Sequence, residues 1–137
     1  MDKIRCAILC VDDDPIILQM LQFQLKKHLD IECVIMEFFT NPSEVLEIID
    51  ETLEESIELI FVIVDFKMPE MSGADLITKI KSLKPETKFI ILSGQANDII
   101  VNQLKSKNSL EAFILKPWDE KELMDLILPI LKEKNIL

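Results

Sequence analysis

The chain has 137 residues, of which 49% are hydrophobic and 29% are charged, and its formal net charge is −10 at pH 7. This length and apolar share suit one domain with a single core and exclude a disordered chain. The acidic balance disfavours a nucleic-acid-binding surface, because phosphate contacts need clusters of Lys and Arg, and it equally disfavours docking on an anionic membrane. We therefore expect the partners to be proteins, cations or both.

The N-terminus and the cysteines indicate the compartment. The chain begins without the apolar region of a signal peptide, and no apolar run reaches the length of about 18 residues that a membrane span needs. Cys6, Cys10 and Cys33 lie within apolar runs and form no CxxC pair. We expect a cytoplasmic protein, with small buried thiols rather than a disulfide or a metal site.

Five apolar runs alternate with five helix-like segments. The runs are Ile4–Val11, Ile31–Phe38, Leu59–Val64, Phe89–Leu92 and Ala112–Leu115. The third run is continuously apolar and rich in β-branched residues, which is typical of a central parallel strand covered on both faces. The second run contains Glu32 and Glu37, which indicates an edge strand.

Capping residues mark where the helices begin. The start sites are Asp14–Pro15, Asn41–Glu44, Ser72–Asp75, Asn97 or Asp98, and Asp119–Glu122. In the first helix four leucines fall on one face and predict the buried side, namely Leu18, Leu21, Leu25 and Leu29. The fourth helix is predicted to run through Leu104. Pro129 is expected to kink or end the fifth helix.

Strict alternation of strands and helices predicts a parallel sheet with helices on both faces. Five such units fit a doubly wound α/β domain, (βα)5, with the flavodoxin-like strand order 2-1-3-4-5. We expect this single domain to cover residues 1–137, with a core of about residues 4–131. Ligands of such sheets bind beyond the carboxyl ends of the strands, at the switch between strands 1 and 3.

Polar residues follow four of the predicted strands at that edge. They are Asp12, Asp13 and Asp14 after strand 1, Asp65 after strand 3, Ser93 after strand 4 and Lys116 after strand 5. Any one of them could be a loop residue or a helix cap, and for Asp14 we prefer the cap, but the set as a whole indicates a site. Crowded carboxylates raise one another's pKa, and a hard cation such as Mg²⁺ relieves this repulsion.

The same crevice suits a phosphoryl group. Asp65, at the centre of the sheet, is the natural nucleophile for an aspartyl-phosphate. Lys116 would supply a fixed positive charge, and Ser93 a hydrogen bond to a second phosphoryl oxygen. Such a transfer depends on positioning and charge neutralisation more than on acid–base chemistry.

These residues resemble the receiver domain of two-component response regulators in their order and spacing. The matching segments are Val11-Asp12-Asp13-Asp14-Pro15, Val64-Asp65-Phe66-Lys67-Met68-Pro69 with Gly73, Leu92-Ser93-Gly94, and Lys116-Pro117. The resemblance implies that Asp12, Asp13, Asp65 and the backbone carbonyl of Lys67 bind Mg²⁺, with Mn²⁺ as a substitute. It also implies that a histidine kinase or a histidine phosphotransfer protein phosphorylates Asp65.

A switch is implied by the same resemblance. Ser93 and Lys116 would contact the phosphoryl group, and Ser93 and Phe113 would act as switch residues. They would change the surface of the predicted fourth helix, strand 5 and fifth helix, through which a homodimer could form. Lys67 and Gln95, each two residues beyond a site residue, are expected to modulate the lifetime of the phosphoryl group. The chain would catalyse only its own phosphorylation and dephosphorylation.

Three other functions share features of this pattern. The first is a degenerate receiver that acts only as a protein-binding module. The second is a phosphatase of the haloacid dehalogenase class, which needs a second Asp where this chain has Lys67. The third is a flavodoxin-like cofactor binder, but only Gly73 and Gly94 are present and three aspartates would repel a cofactor phosphate.

Overall fold

The computed structural model describes residues 5–29, 31–52, 56–94, 102 and 110–136. Five strands form one sheet in which every neighbouring pair is parallel. The strands are β1 (Cys6–Val11), β2 (Val34–Phe39), β3 (Glu58–Val64), β4 (Lys88–Ser93) and β5 (Ala112–Leu115). Their order is β2-β1-β3-β4-β5, so the predicted α/β fold and the predicted edge position of strand 2 are confirmed.

The described residues include four α-helices. They are α1 (Pro15–Leu29), α2 (Pro42–Glu47), α3 (Gly73–Leu83) and α4 (Glu120–Glu133), and a π-helical turn over Ile48–Thr52 follows α2. Helix α4 is the one that the sequence predicts as the fifth. The predicted fourth helix lies outside the described residues, apart from residue 102. None of the helices in the described ranges has the length and apolarity needed to span a bilayer.

The sheet is covered on both faces. Cys6, Ile8 and Cys10 of β1 belong to a core cluster shared with the buried residues of α1 and α4. The alternating residues Ala7 and Leu9 belong to a second cluster, which includes buried residues of α2 and α3. The period-2 alternation of strand side chains explains how one buried strand supplies both clusters. Continuous apolarity along β1 and β3 therefore reflects helices on each side.

The helix starts follow the predicted caps. Oδ1 of Asn41 accepts from the amide of Ser43 at 2.9 Å, and Oγ of Ser72 accepts from the amide of Asp75 at 3.1 Å. Pro129, however, does not end its helix, because α4 continues through it to Glu133. Pro129 has no amide hydrogen to donate to the carbonyl of Asp125 one turn earlier, but both residues are exposed, so water can bond this carbonyl.

The three cysteines are free thiols. Cys6 and Cys10 are buried, as predicted, whereas Cys33 is only half-buried.

Candidate functional site

Two aspartates are fixed by the ends of the central strands. Asp12 follows β1, and its amide donates to the carbonyl of Phe39 on β2 at 3.1 Å. Asp65 follows β3, and its amide donates to the carbonyl of Val11 at 2.9 Å. These bonds extend the sheet register by one residue and carry both carboxyl groups to the same edge. The two residues are only 2% and 6% exposed.

A third carboxylate completes an acidic cluster. Oxygen atoms of Asp12, Asp13 and Asp65 all lie within 4.8 Å of one another. Asp13 is exposed, whereas the other two are buried. Asp14 instead caps helix α1, because its Oδ1 accepts from the amide of Ile16 at 2.9 Å. The cluster offers hard oxygen ligands with one open side, which suits an octahedral Mg²⁺ that retains several water molecules.

Lys116 reaches into this cluster from the end of β5. Its Nζ lies 2.7 Å from Oδ2 of Asp12 and 3.3 Å from Oδ1 of Asp65. Its backbone amide donates to the carbonyl of Ser93 at 2.8 Å, which ties the lysine to the end of β4. Four strands of the sheet therefore contribute to one crevice.

The electrostatics of the crevice reflect burial. The pKa of Asp65 is raised to about 6, mainly by burial and then by the neighbouring Asp12 carboxylate, while Lys116 opposes the rise. The pKa of Asp12 is also raised, mainly by burial, against the effect of its bond to Lys116. Burial is the largest single influence on the pKa of Lys116 and lowers it, but the hydrogen bonds and charges of Asp12 and Asp65 together outweigh burial, so the net shift is upward. The carboxyl pair is thus held in a setting that disfavours its negative charge, which a cation would offset.

Gly73 allows helix α3 to approach Asp65 closely. A Cβ atom at this position would lie 2.4 Å from the carbonyl oxygen of Asp65 and 3.0 Å from Cα of Phe66. The amide of Gly73 donates to the carbonyl of Phe66 at 2.7 Å. A residue without a Cβ atom at position 73 therefore lets the start of α3 pack directly against the loop after β3.

The other predicted site residues differ from one another in how deeply they are buried. Ser93 is buried at the end of β4, where it pairs with Leu115 of β5. Phe113 is half-buried and packs against the cluster that contains α2 and α3. Lys67 is exposed, two residues beyond Asp65. Gln95 lies outside the described residues.

One contact near the site has no counterpart in the sequence analysis. Nε1 of Trp118 donates to Oε1 of Gln24 on α1 at 2.8 Å, between residues 94 positions apart. No local pattern could have paired them, because the contact exists only once β5 and α1 are packed.

Comparison with known proteins agrees with this fold and identifies the family. The family described as "Response regulator receiver domain" matches residues 8–128. A response regulator receiver domain protein from Clostridium thermocellum is 30% identical, with a TM-score of 0.76 over 95% of this chain and 97% of that chain. A CheY-like receiver domain protein from Methanospirillum hungatei JF-1 is 29% identical, with a TM-score of 0.75 over 98% of both chains. The chain belongs to the response regulator receiver domain family.

Several curated relatives are longer than this chain. The response regulator protein TodT of Pseudomonas putida is 30% identical over 127 residues, which is 92% of this chain and 51% of TodT. The chain spans between 9% and 19% of the length of three further relatives. Receiver domains are signalling switches of two-component systems that interact with histidine kinases and phosphotransfer proteins. They bind Mg²⁺ at an acidic cluster of the kind that this chain presents.

Proposed function

We propose that this chain is a phosphoacceptor switch in which Asp65 takes a phosphoryl group in a Mg²⁺-dependent reaction. The donor would be a phosphohistidine of a histidine kinase or a histidine phosphotransfer protein. The observation that carries the proposal is the buried carboxyl group of Asp65 within 4.8 Å of two other carboxylates and 3.3 Å from the ammonium of Lys116. We take residues 1–137 as the receiver unit, with a core of about residues 4–131.

The contacts favour Asp65 over Asp12 as the nucleophile. Both oxygens of Asp12 have partners, since Oδ1 accepts from the amide of Asp14 at 2.9 Å and Oδ2 contacts Lys116 at 2.7 Å. Asp65 contacts Lys116 at the longer distance of 3.3 Å. Asp12 is thus suited to hold other groups in place, and Asp65 to react.

In the proposed step, an oxygen of Asp65 forms a bond to phosphorus as the bond between phosphorus and the donor imidazole breaks, and the imidazole leaves with its electron pair. Lys116 would then pair with a phosphoryl oxygen, and Ser93 would donate a hydrogen bond to another. Asp12, Asp13, Asp65 and the backbone carbonyl of Lys67 would hold Mg²⁺ (or Mn²⁺), which neutralises charge on the carboxylates and the phosphoryl group. The chain would catalyse only this reaction and the later hydrolysis.

Acetyl phosphate tests the proposal without a protein donor. With Mg²⁺ the chain should take up one phosphoryl group in an acid-stable, base-labile linkage, and with EDTA it should take up none. Binding of Mg²⁺ without any uptake of phosphate would contradict the proposal and favour a degenerate receiver that acts only as a protein-binding module.

The hydrolysis rate would depend on the groups around the path of the attacking water. Lys67 is exposed two residues beyond Asp65, and Gln95 follows Ser93 by two residues in the sequence. We propose that both side chains modulate the phosphoryl lifetime. Changing each to Ala should alter the rate of phosphate release, and unchanged rates in both variants would exclude them.

Phosphorylation would be communicated through Ser93 and Phe113. Movement of Ser93 toward the phosphoryl group would make space, and Phe113, which has no hydroxyl group, could turn inward without burying an unpaired polar atom. The changed face would include β5 and α4, and a second copy of the chain could dimerise there. Amide exchange with and without beryllofluoride tests this, and changes confined to the loop after Asp65 would contradict it.

We further propose that the phosphodonor protein docks on helix α1. Ile16, Met20 and Phe23 are 65%, 44% and 70% exposed, and their spacing places them on one face of the helix. This apolar stripe begins beside the site, because the amide of Ile16 bonds Asp14 and the amide of Asp14 bonds Asp12. A donor that delivers its phosphoryl group to Asp65 must cover this rim, and the stripe offers it apolar surface to bury.

A further inference from the structure

The indole of Trp118 is held by helix α1. Its Nε1 donates to Oε1 of Gln24 at 2.8 Å, and both residues are half-buried. The ring also packs against the core cluster that contains α1 and α4. An indole with a packed ring and a bonded N–H is restrained in both position and orientation.

The restraint applies to the segment that carries Lys116. Trp118 lies two residues after Lys116, between the end of β5 and the start of α4. On the other side, the amide of Lys116 is bonded to the carbonyl of Ser93 at 2.8 Å. The backbone of Lys116 is therefore fixed by β4 at one point and, through Trp118, by α1 at another.

We propose that Gln24 is a positioning residue for phosphoryl transfer to Asp65, acting through Trp118 on Lys116. The inference rests on the proposed function. The Nζ of Lys116 lies 2.7 Å from Asp12 and 3.3 Å from Asp65, and a shift of its backbone would change the position of the ammonium relative to both carboxylates. Small displacements of a group that stabilises the transferring phosphoryl group lower the rate.

A second contact between α1 and the start of α4 is a pair of charged interactions at the surface. Oε2 of Glu120 lies 3.1 Å from Nζ of Lys27 and 2.9 Å from Nε2 of His28. These side chains are about a third to a half exposed, where ion pairs contribute little. The hydrogen bond between Gln24 and Trp118 is partly buried, and Trp118 is closer to Lys116 in the sequence than Glu120 is.

Four single variants test the inference, with the rate of phosphorylation by acetyl phosphate and Mg²⁺ as the readout. Gln24→Leu removes the acceptor at similar size, and Trp118→Phe removes the N–H donor but keeps an aromatic ring. Each should slow phosphorylation by about fivefold, the equivalent of one typical hydrogen bond. Gln24→Glu retains an oxygen acceptor and should keep close to the parent rate. Gln19→Leu, on an exposed position of the same helix, is the matched control and should have no effect.

The double variant shows whether the two single changes act through the hydrogen bond that they share or independently of each other. Combining Gln24→Leu with Trp118→Phe should slow the reaction no more than either change alone, because both remove one interaction. The assay is run well below the melting midpoint of every variant, so that a lower rate reflects the geometry of folded protein. Parent rates in both single variants, or losses that multiply in the double variant, would overturn the role of Gln24. A parent that takes up no phosphoryl group would overturn the proposed function as well.

Discussion

Nζ of Lys116 lies 2.7 Å from Oδ2 of Asp12, although the two residues are 104 positions apart in the chain. The contact spans the carboxyl edge of the sheet, from β1 to β5, with β3 and β4 between them. It places one ammonium group against two buried carboxylates, Asp12 and Asp65, while the exposed Asp13 adds a third negative charge nearby. The site therefore has an excess of negative charge that a cation can offset.

We expect Mg²⁺ to stabilise the fold in the absence of phosphate. The sheet assembles the three carboxylates, whereas in the unfolded chain Asp65 is far from the other two, so the metal binds mainly the folded state. At free metal of about 100 times its dissociation constant, mass action gives about 2.7 kcal/mol and raises the melting midpoint by about 9 °C. Thermal unfolding followed by circular dichroism measures the shift. The same midpoint in Na⁺ of matched ionic strength would contradict a metal site.

Asp13→Asn gives a second test of the metal site. Removing this charge should raise the melting midpoint in EDTA, because repulsion in the cluster falls. The variant should gain much less from Mg²⁺ than the parent does, since one good ligand is lost. Asp50→Asn, at an exposed position on the π-helical turn, is the matched control for loss of one acidic charge. A Mg²⁺ response equal to that of the parent would exclude Asp13 as a ligand.

The stability of the metal-free protein should depend on pH through Asp65. Its pKa is about 6 in the folded protein, mainly because of burial, against an ordinary value of 3.8. Between these values the folded state binds more protons than the unfolded chain, so the free energy of unfolding falls as pH rises. The contribution is complete below about pH 4 and lost above about pH 6. The difference in melting midpoint between parent and Asp65→Asn, measured across this range, isolates the effect, and identical pH profiles would contradict it.

Substitution by alanine should destabilise the protein at Gly73 but not at Gly94. In Gly73→Ala the new Cβ would meet the carbonyl oxygen of Asp65 at 2.4 Å, so the backbone must shift. We expect a loss of about 1–3 kcal/mol in the free energy of unfolding, together with slower phosphorylation. In Gly94→Ala the Cβ would have nothing within 4 Å, which makes it the control. Equal midpoints in urea unfolding for the two variants would show that the close approach at Gly73 is unimportant.

If the donor protein docks on α1, a change on this helix should slow phosphorylation by the protein donor but not by acetyl phosphate. Phe23→Ala should slow transfer from a purified phosphohistidine protein of the source organism by about tenfold, as expected for the loss of a large apolar contact. The same variant should react with acetyl phosphate at the parent rate. Leu83→Ala, which removes an exposed apolar side chain at the end of α3, should leave both rates unchanged. An equal loss with acetyl phosphate would point to damage at the site instead of docking.

The sequence predicted the sheet well because burial and periodicity are local properties. The continuous apolarity of the third run marked β3 and the covered faces of the sheet, and the residues that follow the strands identified the crevice. The second strand begins at Val34 rather than Ile31. Ile31 packs against the core from a turn in which Val34 bonds its carbonyl. Apolar character alone does not distinguish such a turn from a strand.

Other features depend on packing between distant segments. The bond between Gln24 and Trp118 and the close approach of Gly73 to Asp65 exist only once the helices are packed on the sheet. The reacting groups could therefore be predicted from the sequence, whereas the contacts that position these groups could not.

The most direct test of the central claim is the position of the phosphoryl group after reaction with acetyl phosphate and Mg²⁺. Reduction of the acyl phosphate with borohydride followed by tandem mass spectrometry locates it. We predict that the modified residue is Asp65 alone, and that Asp65→Asn incorporates no phosphate while Asp75→Asn, at an exposed position on α3, behaves as the parent. Modification of another residue in the parent, or parent-like incorporation by Asp65→Asn, would contradict the account.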